Sequence, residues 1–192
     1  MSRSAAVTEP LRQALAGLIT GPVLVVGETA RTVILIRIDH PETLGADMIA
    51  AAEGALAKYT PPLVLIDTGT ATTLSVLDET GAFPGGAIAP GVRLSAEALA
   101  QWTGLPLPEL TAPESALSRS TVDCLRSGTV LGAAAMVDGM LDRLEASLGT
   151  PVTAVATGGL AGCVIPHCRR PVILDDALLL QGLSVMYSRE AK

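Results

Sequence analysis

The sequence predicts an α/β fold, and three observations carry the prediction. Short aliphatic runs alternate with Ala-rich helical stretches along the chain. Two such runs, Leu63–Ile66 and Thr72–Leu77, flank a glycine turn in the manner of a tight hairpin. One long stretch, from Ser120 to Leu148, repeats apolar residues at helical spacing. No Ser/Gly linker, charge block or internal repeat divides the 192 residues, a length suited to one domain or slightly more.

Glu9 to Leu18 reads as a short helix that ends at Gly21-Pro22. Val23–Val26 and the β-branched run Thr32 to Ile38 both suit strands. Leu44 to Tyr59 has helical composition, with Pro61-Pro62 as its stop. Leu63–Ile66 is a buried-strand run ending at Asp67, and Thr72 to Leu77 resumes strand character before the turn Asp78–Gly81. The Gly/Pro-rich segment Pro84 to Gly91 leads into a helix over Leu94 to Trp102, and Thr103 to Arg119 reads as loop. Ser120 suits the N-cap of the long helix, with Asp123 in its first turn. Val130, Ala134, Val137, Leu141, Leu144 and Leu148 form one apolar stripe, read as a core face, with a helix–helix dimer seam as the other reading. Gly128, Gly132 and Gly139 on this helix permit close backbone approach. Thr153–Thr157 predicts a strand running into Gly158-Gly159, Pro171–Leu174 a last strand and Ala177–Arg189 a last helix.

Composition narrows the function. The hydrophobic fraction of 49% excludes a disordered chain, and one Trp, two Tyr and one Phe leave no stacking platform for single-stranded nucleic acid. A net charge of −6, with Lys58 and Lys192 the only lysines, argues against nucleic acid and anionic membranes as partners. No apolar run reaches the roughly 18 residues of a membrane span, and Thr20, Gly21 and Pro22 interrupt the nearest approach. The N-terminus lacks the apolar centre of a signal peptide, so the expected location is the cytoplasm. Cys124, Cys163 and Cys168 read as reduced thiols. Cys163, His167 and Cys168 lie close together, but no second pair completes a four-ligand zinc site.

Three segments could do chemistry. In Asp67-Thr68-Gly69-Thr70-Ala71-Thr72-Thr73 a carboxylate ends a strand, a glycine turn follows, and hydroxyls line the next strand. Backbone N–H groups in such a turn can converge on a phosphate while the carboxylate holds a cation; the alternative is a purely structural Asx-type turn. Thr157-Gly158-Gly159-Leu160 offers a turn against which a flat ligand can lie, although Gly-Gly also simply turns a chain. Gly45-Ala46-Asp47 places a carboxylate in the first turn of a helix, where the dipole favours it without any chemistry. No Walker, Rossmann, nucleophile-elbow or protein-kinase signature occurs.

Together with Leu44–Asp47, the run Gly85–Leu99 and the two turns above, the chain from Ser4 to Tyr187 resembles the type III pantothenate kinases of the acetate kinase and actin-like superfamily. The resemblance implies an actin-like, ribonuclease H-like kinase fold. Residues 1–60 would be the remnant of a first domain and 61–192 a complete second domain with the hairpin and the Thr-Gly-Gly turn. It implies ATP-dependent phosphorylation of pantothenate, the first step of coenzyme A synthesis, by a homodimer that uses Mg²⁺ and K⁺ or NH₄⁺. By the same resemblance Asp47 is the base toward the primary hydroxyl, and Gly45, Ala46, Asp47, Met48 and Thr121 contact pantothenate. Asp67 holds the monovalent cation, Gly69 and Thr70 meet the ATP phosphates, and Gly158 and Gly159 lie by the adenosine.

The sequence departs from the family pattern in two places. Met48 stands where the family has arginine after Gly-Ala-Asp, and a thioether cannot mimic a guanidinium fork toward a carboxylate. Family members also carry roughly 65 residues, with a phosphate-gripping hairpin, ahead of this chain's first residue, so its first sheet is expected to have an open edge. Three readings follow: an incomplete kinase, one subunit of a split enzyme whose partner supplies the phosphate loop, or a non-catalytic relative that binds ligands or other proteins. A dimeric scaffold with a structural Asp67 turn is a reading of a different class.

Overall fold

The computed structural model of the chain describes residues 5–190; Ser4, where the resemblance begins, and Lys192 lie outside them. Strand β1 (Leu63–Thr68) is central. It runs antiparallel to β2 (Ala71–Leu77), which pairs in turn with β3 (Gly85–Pro90), and parallel to β4 (Thr153–Thr157), which pairs with β5 (Val172–Leu174). The resulting order is β3-β2-β1-β4-β5. Leu63–Ile66 of β1 form an unbroken aliphatic run, all buried, because both faces of the central strand are covered.

Helices α1 (Ala5–Leu18), α2 (Ala46–Leu56), α3 (Val92–Thr103), α4 (Thr121–Arg126), α5 (Gly132–Leu148), α6 (Ala161–Val164) and α7 (Leu178–Glu190) complete the fold. None is long and apolar enough to cross a membrane. One face of the sheet, with Val64, Ile66, Leu74 and Ala156, packs against Ala134, Val137 and Leu141 of α5. The other, with Leu63, Leu65, Leu77 and Val155, packs against Ala52 and Ala55 of α2 and Leu178 of α7. Each fully buried leucine contributes about 1.5–3 kcal/mol.

The apolar stripe of the long helix is a core face: Val130, Ala134, Val137 and Leu141 are buried, and Leu144 and Leu148 pack on the same cluster. Ser120 caps it, its Oγ accepting from Asp123 N at 3.1 Å. The expected single α-helix is instead α4 and α5 joined by a π turn over Ser127–Leu131. Gly128 and Thr129 are weak helix formers, and the wider turn is tolerated there. Close backbone approach occurs elsewhere, where α2 crosses α7. A Cβ on Gly182 would overlap the Ala50 carbonyl, and one on Gly54 the Leu178 carbonyl.

Beside that crossing sits Glu53 on α2, 4% exposed. Its Oε1 accepts from Thr32 Oγ1 (2.7 Å), the Val33 amide (3.0 Å) and Arg189 Nη2 (3.1 Å), and its Oε2 from Arg189 Nη1 (3.1 Å). Burial pushes the Glu53 carboxyl up, but Arg189, Thr32 and Val33 outweigh it and hold it below the usual carboxylate value. One carboxylate thus joins α2, α7 and the segment before α2.

Four further expectations need correction. Val23–Val26 is no strand: Glu28, Thr29 and Ala30 amides all donate to the Val25 carbonyl, and only a Val26–Ala30 bridge forms. Thr32–Ile38 makes one bridge, Ile36 to Phe83, because Val33 N donates to Glu53 and Ile34 N to Thr32 Oγ1. The alternation is nevertheless real, since Ile34 is buried while Val33 and Leu35 are 71% and 59% exposed. Conversely, the Gly/Pro-rich segment before α3 is the strand β3; a Cβ at Gly86 would overlap the Leu74 carbonyl, so glycine is what brings that strand close. α1 also begins at Ala5 rather than Glu9, two alanines favouring helix ahead of Pro10.

Candidate active site

The β1–β2 hairpin is closed by Gly69, Thr70 and Ala71 between the paired Thr68 and Thr72, with Gly69 N donating to Ala71 O at 3.1 Å. The turn is docked on the N-terminus of α3. Gly91 N donates to Thr70 O at 3.1 Å, and a Cβ on Gly91 would come within 2.7 Å of the Thr70 carbonyl carbon. Register places Asp67 opposite Thr73 on β2 and Thr157 on β4, so these three share one face. Thr68 and Thr72 share the opposite face, both 1% exposed. Thr68 Oγ1 donates to Thr157 O at 3.1 Å, whereas Thr72 Oγ1 has no partner among the described residues.

The Gly158-Gly159 turn is clamped to the same strand end by Leu160 N donating to Thr68 O at 3.3 Å, and is closed internally by Ala161 N donating to Gly158 O at 3.0 Å. The two glycines differ. Gly158 has φ +98°, and a Cβ there would strike Asp67 Oδ1 and approach Thr68 N to 2.7 Å. Its glycine is therefore required sterically. Gly159 faces open space, with no atom within 4 Å of a Cβ placed on it.

Helix α2 brings the second carboxylate. Gly45 is its N-cap, Ala46 its first residue, and Asp47 lies in the first turn. Asp47 Oδ1 accepts from Met48 N at 3.0 Å and occupies the space a Cβ on Gly45 would need. Burial first, and the nearby Asp47 carboxylate second, push Asp67 above the usual carboxylate value. Met48 is half-buried and packs on the cluster of Ile34, Leu63, Leu65 and Phe83 with Leu44 and Ile38 beside it. Thr121 stands apart, exposed at the start of α4 on the helix path that covers the other face of the sheet.

The structure thus gathers Asp47, Asp67, the Gly69-Thr70 turn and Gly158 into one locality. Thr73 and Thr157 belong to it by strand register, a relation that period-2 counting outward from Asp67 carries. The cysteines lie elsewhere. Cys163 Sγ donates to Leu110 O at 2.7 Å, and burial raises its thiol. Burial and Asp138 push the Cys168 thiol up to about 11. No group of three His, Cys, Asp or Glu among the described residues is placed to hold a metal ion.

Asp67 yields a test of this geometry. A carboxylate whose folded pKa is raised is disfavoured in the folded chain above that pKa, and the cost fades as pH falls through it. Asp67→Asn is therefore expected to raise the thermal midpoint at pH 7 relative to wild type, with the difference shrinking as pH falls below the folded pKa of Asp67. A lower midpoint for the variant at neutral pH contradicts the acid-pair geometry.

A family model described as type III pantothenate kinase matches residues 2–143. Among curated relatives carrying that description, one from Exiguobacterium sp. (strain ATCC BAA-1283 / AT1b) is 39% identical over 170 residues, 88% of this chain and 66% of the relative. One from Moorella thermoacetica is 36% identical over 190 residues, 96% of this chain and 75% of the relative. A third, from Thermomicrobium roseum, is 42% identical over 155 residues, 80% of this chain and 60% of the relative. The chain therefore spans 60% to 75% of the length of these relatives. Of solved structures, a conserved protein assigned to the Baf family of transcriptional activators, from Campylobacter jejuni, superposes with TM-score 0.69 at 16% identity, over 98% of this chain and 80% of that one. The activator of 2-hydroxyisocaproyl-CoA dehydratase from Clostridium difficile, with bound ADPNP, follows at TM-score 0.51 and 15% identity, covering 99% of this chain and 83% of that one. These likenesses show the actin-like fold.

Proposed function

Because the chain belongs to the type III pantothenate kinase family, we propose that it transfers the γ-phosphoryl group of ATP to the primary hydroxyl of pantothenate or of a compound sharing its pantoyl end. The observation that carries the proposal is the convergence of Asp47 and Asp67, from α2 and β1, beside the docked Gly69-Thr70 turn. Phosphoryl transfer depends chiefly on positioning and charge stabilisation. In this reading Asp47 accepts the hydroxyl proton, with its carboxylate oriented by the Met48 amide. The Thr70 amide and hydroxyl meet phosphate oxygens, and the open side of Gly159 receives the adenosine, with Gly158 holding the turn against Asp67.

The residues fit a monovalent cation at Asp67, since such an ion needs little anionic charge and would relieve the repulsion between the two carboxylates. ATP would bring Mg²⁺, which neutralises charge on the transferring phosphate when bound. A structural relative with bound ADPNP supports a nucleotide ligand for this fold. Gly45, Ala46, Met48 and Thr121 complete the proposed alcohol site, and the homodimer and the cytoplasmic location are part of the same proposal. A second reading, a ligand-binding relative without turnover, is favoured by the apolar packing of Met48.

Ligand-dependent unfolding tests the proposal. A ligand at about 100 times its Kd stabilises by ~2.7 kcal/mol, about 5–10 °C for a chain of this size. ATP with Mg²⁺ and K⁺ is expected to raise the midpoint, and replacing K⁺ by a large organic cation to diminish the rise. Absence of any shift with nucleotide overturns the proposal.

A further inference from the structure

We propose that residues 32–38 form an interaction edge. A separate polypeptide adds a β-strand to it, aliphatic on both faces, and the stripe of α1 covers the sheet so formed.

The side chains give the first reason. Val33-Ile34-Leu35-Ile36 is an unbroken aliphatic run, the pattern of a strand covered on both faces. Leu63–Ile66 of β1 has the same pattern and is buried throughout, whereas here only one face is covered. Ile34 packs with Ala52 and Phe83, and Ile36 with Ile49 and Met186, while Val33 and Leu35 are exposed. The backbone shows the same asymmetry. Arg37 N donates to Phe83 O and Phe83 N to Leu35 O, both at 2.8 Å, so one edge is taken. Backbone groups alternate sides along an extended chain, which turns the N–H and C=O of Ile36 to the opposite edge. Neither group has a hydrogen-bond partner among the described residues. Exposed strand edges are ordinarily protected by lysine, proline or a bulge. Residues 32–38 contain no lysine or proline, and their one charge, on Arg37, is paired with Asp78 at 2.9 Å.

Helix α1 offers the complementary half. Leu11, Leu15 and Leu18, spaced four and three apart, make one apolar stripe, and all three are exposed. No residue of α1 enters a hydrophobic core cluster among the described residues. A 14-residue helix is marginal without a surface to pack on, so the stripe calls for one. A second copy of the chain supplies only another such edge and another bare helix. Between a quarter and two fifths of the length of the three curated relatives lies outside their match to this chain, enough for several strands.

The test reads binding without turnover, so its outcome stands apart from the kinase reading. The probe is the stretch of the Moorella thermoacetica relative that precedes its match, made as a separate polypeptide and mixed with the purified chain. Exchange of the Ile36 amide is expected to be fast in the chain alone and to slow at least about tenfold on mixing. Leu35→Lys and Leu11→Glu change exposed positions and should leave the thermal midpoint of the free chain unchanged. Each is expected to weaken binding of the probe at least about tenfold in calorimetric titration. No binding, or binding that neither variant weakens, overturns the inference. An Ile36 amide protected in the chain alone also overturns it, and protection that grows with chain concentration assigns the edge to a second copy instead.

Discussion

Asp47→Asn is expected to lower phosphoryl transfer by roughly 10²- to 10⁴-fold, the usual contribution of a positioned base. The substitution is nearly isosteric. Asparagine Oδ1 can still accept from the Met48 amide, as Asp47 Oδ1 does at 3.0 Å, so the first turn of α2 keeps its geometry. Removing one of two facing carboxylates also relieves Asp67. The variant should therefore keep the local fold and retain ATP-dependent stabilisation. The informative pattern is lost kcat with nucleotide binding intact, measured by ADP release beside thermal unfolding. Full turnover by Asp47→Asn removes Asp47 from the role of base, and lost turnover with lost nucleotide binding points instead to a damaged fold.

Glu53→Ala is expected to destabilise the chain by about 3–5 kcal/mol, the cost of breaking a buried ion pair and leaving its partner uncompensated. Arg189 retains some solvent, its side chain being 31% exposed, which places the effect toward the lower end. Losses beyond the ion pair follow from the same carboxylate, because the Thr32 hydroxyl and Val33 amide lose their acceptor together. The effect depends on pH in a defined direction. Glu53 has a lowered folded pKa, so its contribution is present above the ordinary glutamate value and is lost as pH falls through the folded one. Urea unfolding at pH 7 and pH 3 should show the gap between wild type and Glu53→Ala narrowing at the lower pH. A difference below about 1 kcal/mol at pH 7 is the range of an exposed pair and contradicts the buried linkage.

What the sequence made legible was local. The hairpin from Leu63 to Leu77 could be read because its signal lies within a few residues: two aliphatic runs, a carboxylate and a glycine turn. The long helix was legible from its spacing, and the turn after β4 from its paired glycines. The β-branched run Thr32–Ile38 has the alternating burial of a strand, with Ile34 buried and Val33 and Leu35 exposed, but a ladder needs a neighbouring strand in register, and no local pattern encodes that neighbour. β3 was hidden for the opposite reason. Gly85, Gly86 and Pro90 weaken strand propensity, and Gly86 is needed because a Cβ there would overlap the Leu74 carbonyl. The contacts that hold α2, and with it Asp47, join residues far apart in the chain, Glu53 with Arg189 and Gly54 with Leu178 and Gly182. Nothing about Glu53 in sequence separates it from a solvated helix residue. The family resemblance supplied roles for Asp47 and Asp67, while their mutual proximity and its effect on Asp67 came from the fold.

The most direct test of the central claim is ADP release by the purified chain, coupled to a spectrophotometric readout, with the pantoyl alcohol and K⁺ each present or withheld. The account predicts turnover that requires the alcohol, falls sharply when K⁺ is replaced by a large organic cation, and disappears in Asp47→Asn. ADP release that proceeds equally without the alcohol, or no release from a chain that nucleotide nevertheless stabilises, contradicts phosphoryl transfer by these residues.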